Sequence, residues 1–237
     1  MECLYVPVLN RDQLCIELTE AEELRHVRAL RLRIGERVAL TNGQGLLVEA
    51  EFRAMRLRPV AAVFQVLREL PNPELPVPVA LALGILQERE RLEFALEKAV
   101  ELGVREIVLL RTHRTQPVSV RLSRLQGKLR AAVKQAHRAW FPQLHEPIGL
   151  QECCQRLFPL YPRRLVADTG GVRLQYHECV PTLIMVGPEG GWAPEELELL
   201  RSHGATIWSL GMRRLRSETA VVATLSLVST ALLGFCS

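Results

Sequence analysis

The chain has 237 residues, 48% of them apolar, with a net charge of +4, which supplies real hydrophobic cores and excludes a disordered or disulfide-dense peptide. No apolar run reaches the length of a membrane span, and Met1-Glu2-Cys3-Leu4-Tyr5 lacks a basic region followed by an apolar stretch. A cytoplasmic protein without a membrane partner is therefore expected.

In chain order, residues 4–9, 37–41, 46–52 and 60–67 read as short strands, with Asn42-Gly43 and Gln44-Gly45 as a hairpin-turn signal. One helical piece, 20–30, opens after the candidate cap Thr19. A small β-barrel with one short helix is expected over residues 1–70. Residues 71–78 hold four prolines and cannot continue a helix or a central strand, so they mark a linker and the domain boundary.

Beyond the linker, over residues 79–237, the pattern alternates. Residues 79–86 read as a strand and 89–102 as a helix ending at Gly103, with apolar positions Leu92, Ala95, Leu96, Ala99 and Leu102. Strands follow at 107–110, 165–167, 183–186 and 207–209. Helices follow at 122–139, 150–158, 194–203 and 218–233. Alternation of this kind predicts an α/β domain with a mostly parallel sheet.

Cys3, Cys15, Cys153, Cys154, Cys179 and Cys236 form no C-x-x-C pair and no metal-ligand spacing, so they read as reduced, small buried side chains, and no metal is expected. The basic charge is unevenly placed. Between Arg105 and His145 nine Lys/Arg face one acidic residue, Glu106, and only three of the thirty basic residues are Lys. Arg25, Arg28, Arg31 and Arg33 form a second cluster. Arginine makes planar bidentate contacts to phosphate and stacks on bases, so this bias favours a nucleic-acid partner. His26, His137 and His145 lie in these basic segments and read as solvated or RNA-facing. Trp140 and Phe141 read as core or dimer packing.

Two polar, glycine-marked loops follow apolar strands and run into helices: Gly187-Pro188-Glu189-Gly190-Gly191-Trp192, and the stretch from Leu210 to Ala220. Such strand ends are where α/β proteins bind ligands. Neither loop has the spacing of a phosphate cradle, and Glu189 would repel a triphosphate. Pro194 suits the first position of its helix, Ser217 reads as a helix cap, and Arg213, Arg214 and Arg216 suit an anionic or base-edge substrate.

These two loops, with Glu101-Leu102-Gly103-Val104, Gln135-Ala136-His137-Arg138 before Pro142, and Arg31-Leu32-Arg33-Ile34-Gly35, resemble the RsmE family of SPOUT methyltransferases. The resemblance implies a PUA-like barrel and a trefoil-knotted domain. It further implies an S-adenosylmethionine cofactor, a homodimer, and methylation of uridine N3 in 16S ribosomal RNA near the decoding centre. On that resemblance Gly187, Glu189, Gly190, Gly191, Leu210, Gly211, Leu215, Ser217 and Ala220 would hold the cofactor. Arg216 would stabilise the imide anion, helped by Arg138 or Arg114, with Glu218 or Glu189 accepting the proton. Arg25, Arg28, Arg31, Arg33, Arg114, Gln135, Arg138 and Arg213 would meet RNA. The chain departs from the family pattern at Glu2-Cys3, Glu88, Lys134, Met212 and Arg214, with Glu88 and Lys134 a possible compensating pair. Competing readings are a SPOUT enzyme acting on a ribose 2′-OH or a tRNA base, and a non-catalytic RNA-binding or ribosome-assembly protein.

Overall fold

The computed structural model describes residues 1–173 and 179–235. The chain forms two compact units: Met1–Glu74 with Val133–Phe141, and Leu75–Ala132 with Pro142–Ser237.

In the first unit, β1 (Cys3–Tyr5), β2 (Cys15–Leu18), β3 (Arg37–Thr41), β4 (Leu47–Leu57) and β5 (Val60–Glu69) form one sheet in the order β1-β3-β4-β5-β2. Only β1 and β3 run parallel. Its core gathers Leu4, Ile16, Leu18, Val38, Leu40, Phe52 and Phe64, with Leu24 and Val27 from α1 (Ala21–Leu30). The sequence reading missed β2, because Asp12, Gln13 and Leu14 before it carry no alternation. It also misplaced the cap of α1: Glu20, not Thr19, holds that position, and no side chain caps the helix. Arg31 closes α1 in the left-handed region, at φ +52.

Residues 133–141 belong to the same unit, and their side chains seal it. Phe141 lies over Gly43 and Trp140 over Gly45, where an added Cβ would come within 2.3 Å and 2.8 Å of the rings. The predicted helix over 122–139 ends early, as α3 (Leu122–Gln135), because His137 takes φ +52 and turns the chain. Arg138 is then buried, at 3% exposure, against the carboxylate of Glu74. Lys134 meets Glu23 at 2.8 Å, with His26 beside it, whereas Glu88 pairs with Arg91 at 3.0 Å. Glu88 and Lys134 thus have separate partners and are not a compensating pair.

The second unit is a seven-stranded, all-parallel sheet. Its elements are β6 (Val79–Gly84), α2 (Arg89–Glu101), β7 (Glu106–Arg111), β8 (Gln143–Leu144), β9 (Ile148–Gly149), α4 (Leu150–Leu157), β10 (Arg163–Val172), β11 (Thr182–Val186), α5 (Pro194–Ser202), β12 (Thr206–Trp208) and α6 (Ser217–Phe235). The strand order is β12-β10-β11-β6-β7-β8, with β9 beside β7. β6 and β11 are buried along their whole length, as parallel strands covered on both faces must be.

His145 is not solvated as expected: its Nε2 lies 2.7 Å from Glu106, whose other oxygen accepts the Tyr161 hydroxyl at 2.6 Å. Burial and that carboxylate push the Tyr161 hydroxyl up. Burial likewise pushes the Cys3 and Cys153 thiols up to about 12 and Cys154 up to about 11, so these remain protonated. Cys15 and Cys179 are exposed, unlike the buried thiols expected, and Cys236 lies outside the described residues.

One helix does satisfy the length and composition of a membrane span, contrary to the sequence reading: Ser217–Gly234, with mean hydropathy 1.4. It packs on α2 and β11. Val221, Leu225, Val228 and Leu232, spaced four, three and four apart, are fully buried, and Ser229 bonds the Leu102 carbonyl at 2.7 Å.

Candidate functional site

All strands of the second sheet point the same way, so the ends of β10, β11 and β12 release their loops on one edge. There they enclose a cavity of about 800 Å³, within the range of small-molecule sites. Its walls come from 167–169 in β10, where its pairing with β11 ends, from 186–192 at the end of β11 and after it, and from 210–217 after β12, with Arg91 from α2, Arg114 after β7 and Ala220 in α6.

The glycine loop is held from several sides. Gly191 takes φ +70 and its N–H returns to the Pro188 carbonyl at 2.8 Å, closing a tight turn. Trp192 donates its Nε1–H to the Ala167 carbonyl at 3.2 Å, tying the loop to β10 where its pairing with β11 ends. The Gln87 N–H donates to the Glu189 carboxylate at 2.9 Å, and Arg114 donates to the Gly190 carbonyl at 2.8 Å. Beneath the loop, a Cβ on Gly84 would stand 2.5 Å from the backbone nitrogen of Pro188. We therefore expect Gly84→Ala to lift the loop and weaken binding of the cavity's ligand at least about tenfold, the order that a displaced binding loop costs. Isothermal titration checks this; an unchanged Kd would mean that the loop adapts.

Every residue assigned to the cofactor, namely Gly187, Glu189, Gly190, Gly191, Leu210, Gly211, Leu215, Ser217 and Ala220, borders this one cavity. Ser217 is the first residue of α6 rather than its cap; the Arg216 carbonyl already accepts the Ala220 N–H at 2.8 Å. Ala193 starts α5, with Pro194 at its first position and Glu196 accepting the Ala193 N–H.

The two carboxylates proposed to take a proton part company. Glu189 borders the cavity, and its Oε1 alone accepts the Gln87 N–H. Glu218 does not border it: its Oε1 lies 3.8 Å from Arg91, and its Oε2 is buried without a hydrogen-bond partner. Of the two, Glu189 is thus the carboxylate placed to meet a ligand in the cavity.

Five arginines and two carboxylates border the cavity: Arg91, Arg114, Arg213, Arg214, Arg216, Asp168 and Glu189. Three of the arginines are engaged: Arg91 with Glu88 at 3.0 Å, Arg114 with Gly190, and Arg214 with the Glu189 carbonyl at 3.4 Å. Arg213 and Arg216 are exposed and, among the described residues, unpaired. Of the remaining RNA candidates, Arg25, Arg28, Arg31, Arg33 and Gln135 are exposed on the first unit, whereas Arg138 is not, because its guanidinium closes on Glu74.

The sequence reading missed Ala167, Asp168 and Thr169 as a third wall. The signal was there, since Asp168-Thr169-Gly170-Gly171 follows the apolar run Leu165-Val166-Ala167, although here the strand continues through it to Val172. Gly171 crosses β12 so closely that a Cβ would stand 2.5 Å from the Ile207 carbonyl oxygen.

The residues suit S-adenosylmethionine. Val186, Leu210, Leu215 and Ala220 offer apolar walls, glycine backbone offers N–H and C=O groups, and Asp168 and Glu189 offer negative charge to a sulfonium.

Comparison with known proteins gives the same direction. A family model described as an RNA methyltransferase domain matches residues 73–229, and one described as an RNA methyltransferase PUA domain matches residues 18–60. The chain is 28% identical to the ribosomal RNA small subunit methyltransferase E of Synechocystis, covering 92% of this chain and 73% of that one. It is 29% identical to its namesake from Mesomycoplasma hyopneumoniae, covering 86% and 89%. Among solved structures, the methyltransferase E of Neisseria gonorrhoeae bound to S-adenosyl methionine is similar, with 28% identity, a TM-score of 0.87 and 97% of both chains covered.

Proposed function

The chain belongs to the RNA methyltransferase family, whose domain spans residues 73–229, and on that premise we propose that it methylates N3 of a uridine in 16S ribosomal RNA of the small subunit. The donor is S-adenosylmethionine. The observation that carries this reading is the cavity in which the glycine loop and the arginine loop meet, with two guanidiniums on its rim that are unpaired among the described residues.

S-adenosylmethionine, when bound, supplies a methyl group on a positively charged sulfur, an electrophile that needs no metal. The imide N3–H must lose its proton, the negative charge spreading to O2 and O4, and N3 would then take the methyl group as its bond to sulfur breaks and the sulfur keeps the electron pair as a neutral thioether. Arg216, exposed and uncommitted at the cavity edge, stabilises that charge. Glu189 takes the proton on Oε2, since Oε1 is already occupied by the Gln87 N–H. The glycine loop and the walls at Val186, Leu210, Leu215 and Ala220 hold the adenosyl group. Arg114 and Gln87 keep the loop in place.

The finer architecture belongs to the same proposal. β12 sits on the outer edge beside β10, yet α6, which follows it, packs on α2 and β11. That return across the strand ends supports a trefoil knot. Phe94 on α2 and Leu227 and Leu233 on α6 are 45%, 52% and 55% exposed, and only 44% of the apolar window of α6 is buried, which supports a homodimer formed through these helices. The Arg25, Arg28, Arg31 and Arg33 cluster supplies an RNA-facing surface on the first unit. A ribosomal substrate places the protein in the cytoplasm. The catalytic part in this reading is the unit of Leu75–Ala132 and Pro142–Ser237, so the boundary expected over 71–78 narrows to the step from Glu74 to Leu75, and residues 133–141 leave the expected 79–237 domain for the first unit.

The test is transfer from labelled S-adenosylmethionine to small subunits lacking the modification, with nuclease digestion and mass spectrometry. N3-methyluridine at one site is expected. A 2′-O-methyl nucleoside would overturn the atom assigned, and absence of both transfer and cofactor binding would favour a non-catalytic RNA-binding protein.

A further inference from the structure

At the tip of the loop between β12 and α6, Met212 is 93% exposed, the most exposed large apolar side chain among the described residues. Its position is fixed on both sides. Before it, Gly211 takes φ +126 while its N–H and C=O both bond the Ser209 hydroxyl at 3.3 Å. After it, Arg214 reaches the Glu189 carbonyl at 3.4 Å, so the loop is pinned to the glycine loop and residues 212 and 213 project at the rim.

Resting on the reading that the substrate is RNA, we propose that Met212 is a wedge that takes the stacking place of the target nucleoside, with Arg213 on an adjoining phosphate and Arg214 serving as the loop's tether. A base that reacts at its pairing edge must leave the stack, and the gap it leaves exposes the faces of its neighbours. A flexible, polarisable thioether fits against such a face, and methionine is among the apolar side chains that enter base steps. The surroundings favour nucleic acid over a protein partner. Met212 is a lone apolar group beside Arg213, Arg214 and Arg216, and protein interfaces exclude charge from their centres. An unpaired guanidinium next to an apolar tip matches a phosphate next to a base.

The test compares the wild type with Met212→Ala and Met212→Leu in methyl transfer to small subunits, alongside titration of S-adenosylmethionine and sedimentation. Met212→Ala should lower kcat/KM for RNA about 10- to 100-fold, the range that loss of one base-stacking contact gives. Oligomeric state should not change, any change in cofactor Kd should be far smaller than that in kcat/KM because Met212 reaches the cavity only at its rim, and Met212→Leu should recover most of the activity. A kcat/KM for Met212→Ala within about twofold of wild type overturns the wedge and leaves the methyltransferase reading standing. A loss that accompanies dissociation of a dimer also overturns it, and identifies Met212 as a subunit contact. If the wild type itself transfers no methyl group to RNA while binding the cofactor, the substrate reading fails and the wedge with it.

Discussion

Arg216→Ala is expected to lower turnover about 10²- to 10³-fold, the effect of removing one donor aimed at a developing anion, and to leave cofactor affinity within about twofold. Three of the other arginines at the cavity have structural tasks: Arg91 faces Glu88, Arg114 holds the Gly190 carbonyl and Arg214 the Glu189 carbonyl, while Arg213 stands beside Met212 in the loop. Arg216 is exposed, adjoins the cavity, and stands where its loop enters α6. The sign of the pH effect follows. A nearby cation favours the ionised imide and lowers its pKa, so removing Arg216 should shift the rise of kcat with pH to higher pH. Lysine at 216 keeps the charge without the planar fork, and should restore part of the rate. Single-turnover transfer measured across pH reads all three, and an unchanged rate in Arg216→Ala removes this residue from the chemistry.

The second unit was the more legible part of the sequence. Strand and helix alternate there with period-appropriate apolar positions, and buried parallel strands such as 183–186 read as continuous apolar runs. Both cofactor loops were visible because glycines and charges follow those runs directly. What the sequence concealed is where a side chain points. Glu218 and Glu189 look equivalent as carboxylates near glycine loops, yet one turns to Arg91 and the other borders the cavity. Arg138 and Lys134 look like members of one basic face, but both serve carboxylates far away in sequence, Glu74 and Glu23. Periodicity along a helix reports which face is apolar. It carries no information on a partner more than sixty residues away, nor on the left-handed residue at His137 that ends α3.

The pairing of Glu74 with Arg138 leads to the largest expected effect on stability. Glu74 lies in the proline-rich segment, with its side chain 3% exposed, and the Arg138 side chain is 4% exposed. The Arg138 Nε–H reaches both carboxylate oxygens at 3.2 Å, and the Ala139 and Trp140 N–H groups also donate to Oε1, at 3.1 Å and 3.2 Å. One buried carboxylate therefore neutralises a buried cation and satisfies the turn that sets Trp140 over Gly45 and Phe141 over Gly43. Removing one member of such a pair strands the other charge, so Glu74→Ala should destabilise the first unit by about 3–5 kcal/mol, seen as a lower urea midpoint. The double variant Glu74→Leu with Arg138→Met removes both charges together. Were the ion pair the whole contribution, stability would return to near wild type. Because the Ala139 and Trp140 N–H groups also lose their acceptor, the double variant should regain only part of it, remaining about 1–3 kcal/mol below wild type. Full recovery would show that the carboxylate serves Arg138 alone; no recovery would place the cost in the turn. An Arg138→Ala variant as stable as wild type would instead free this guanidinium for the RNA contact that the sequence suggested.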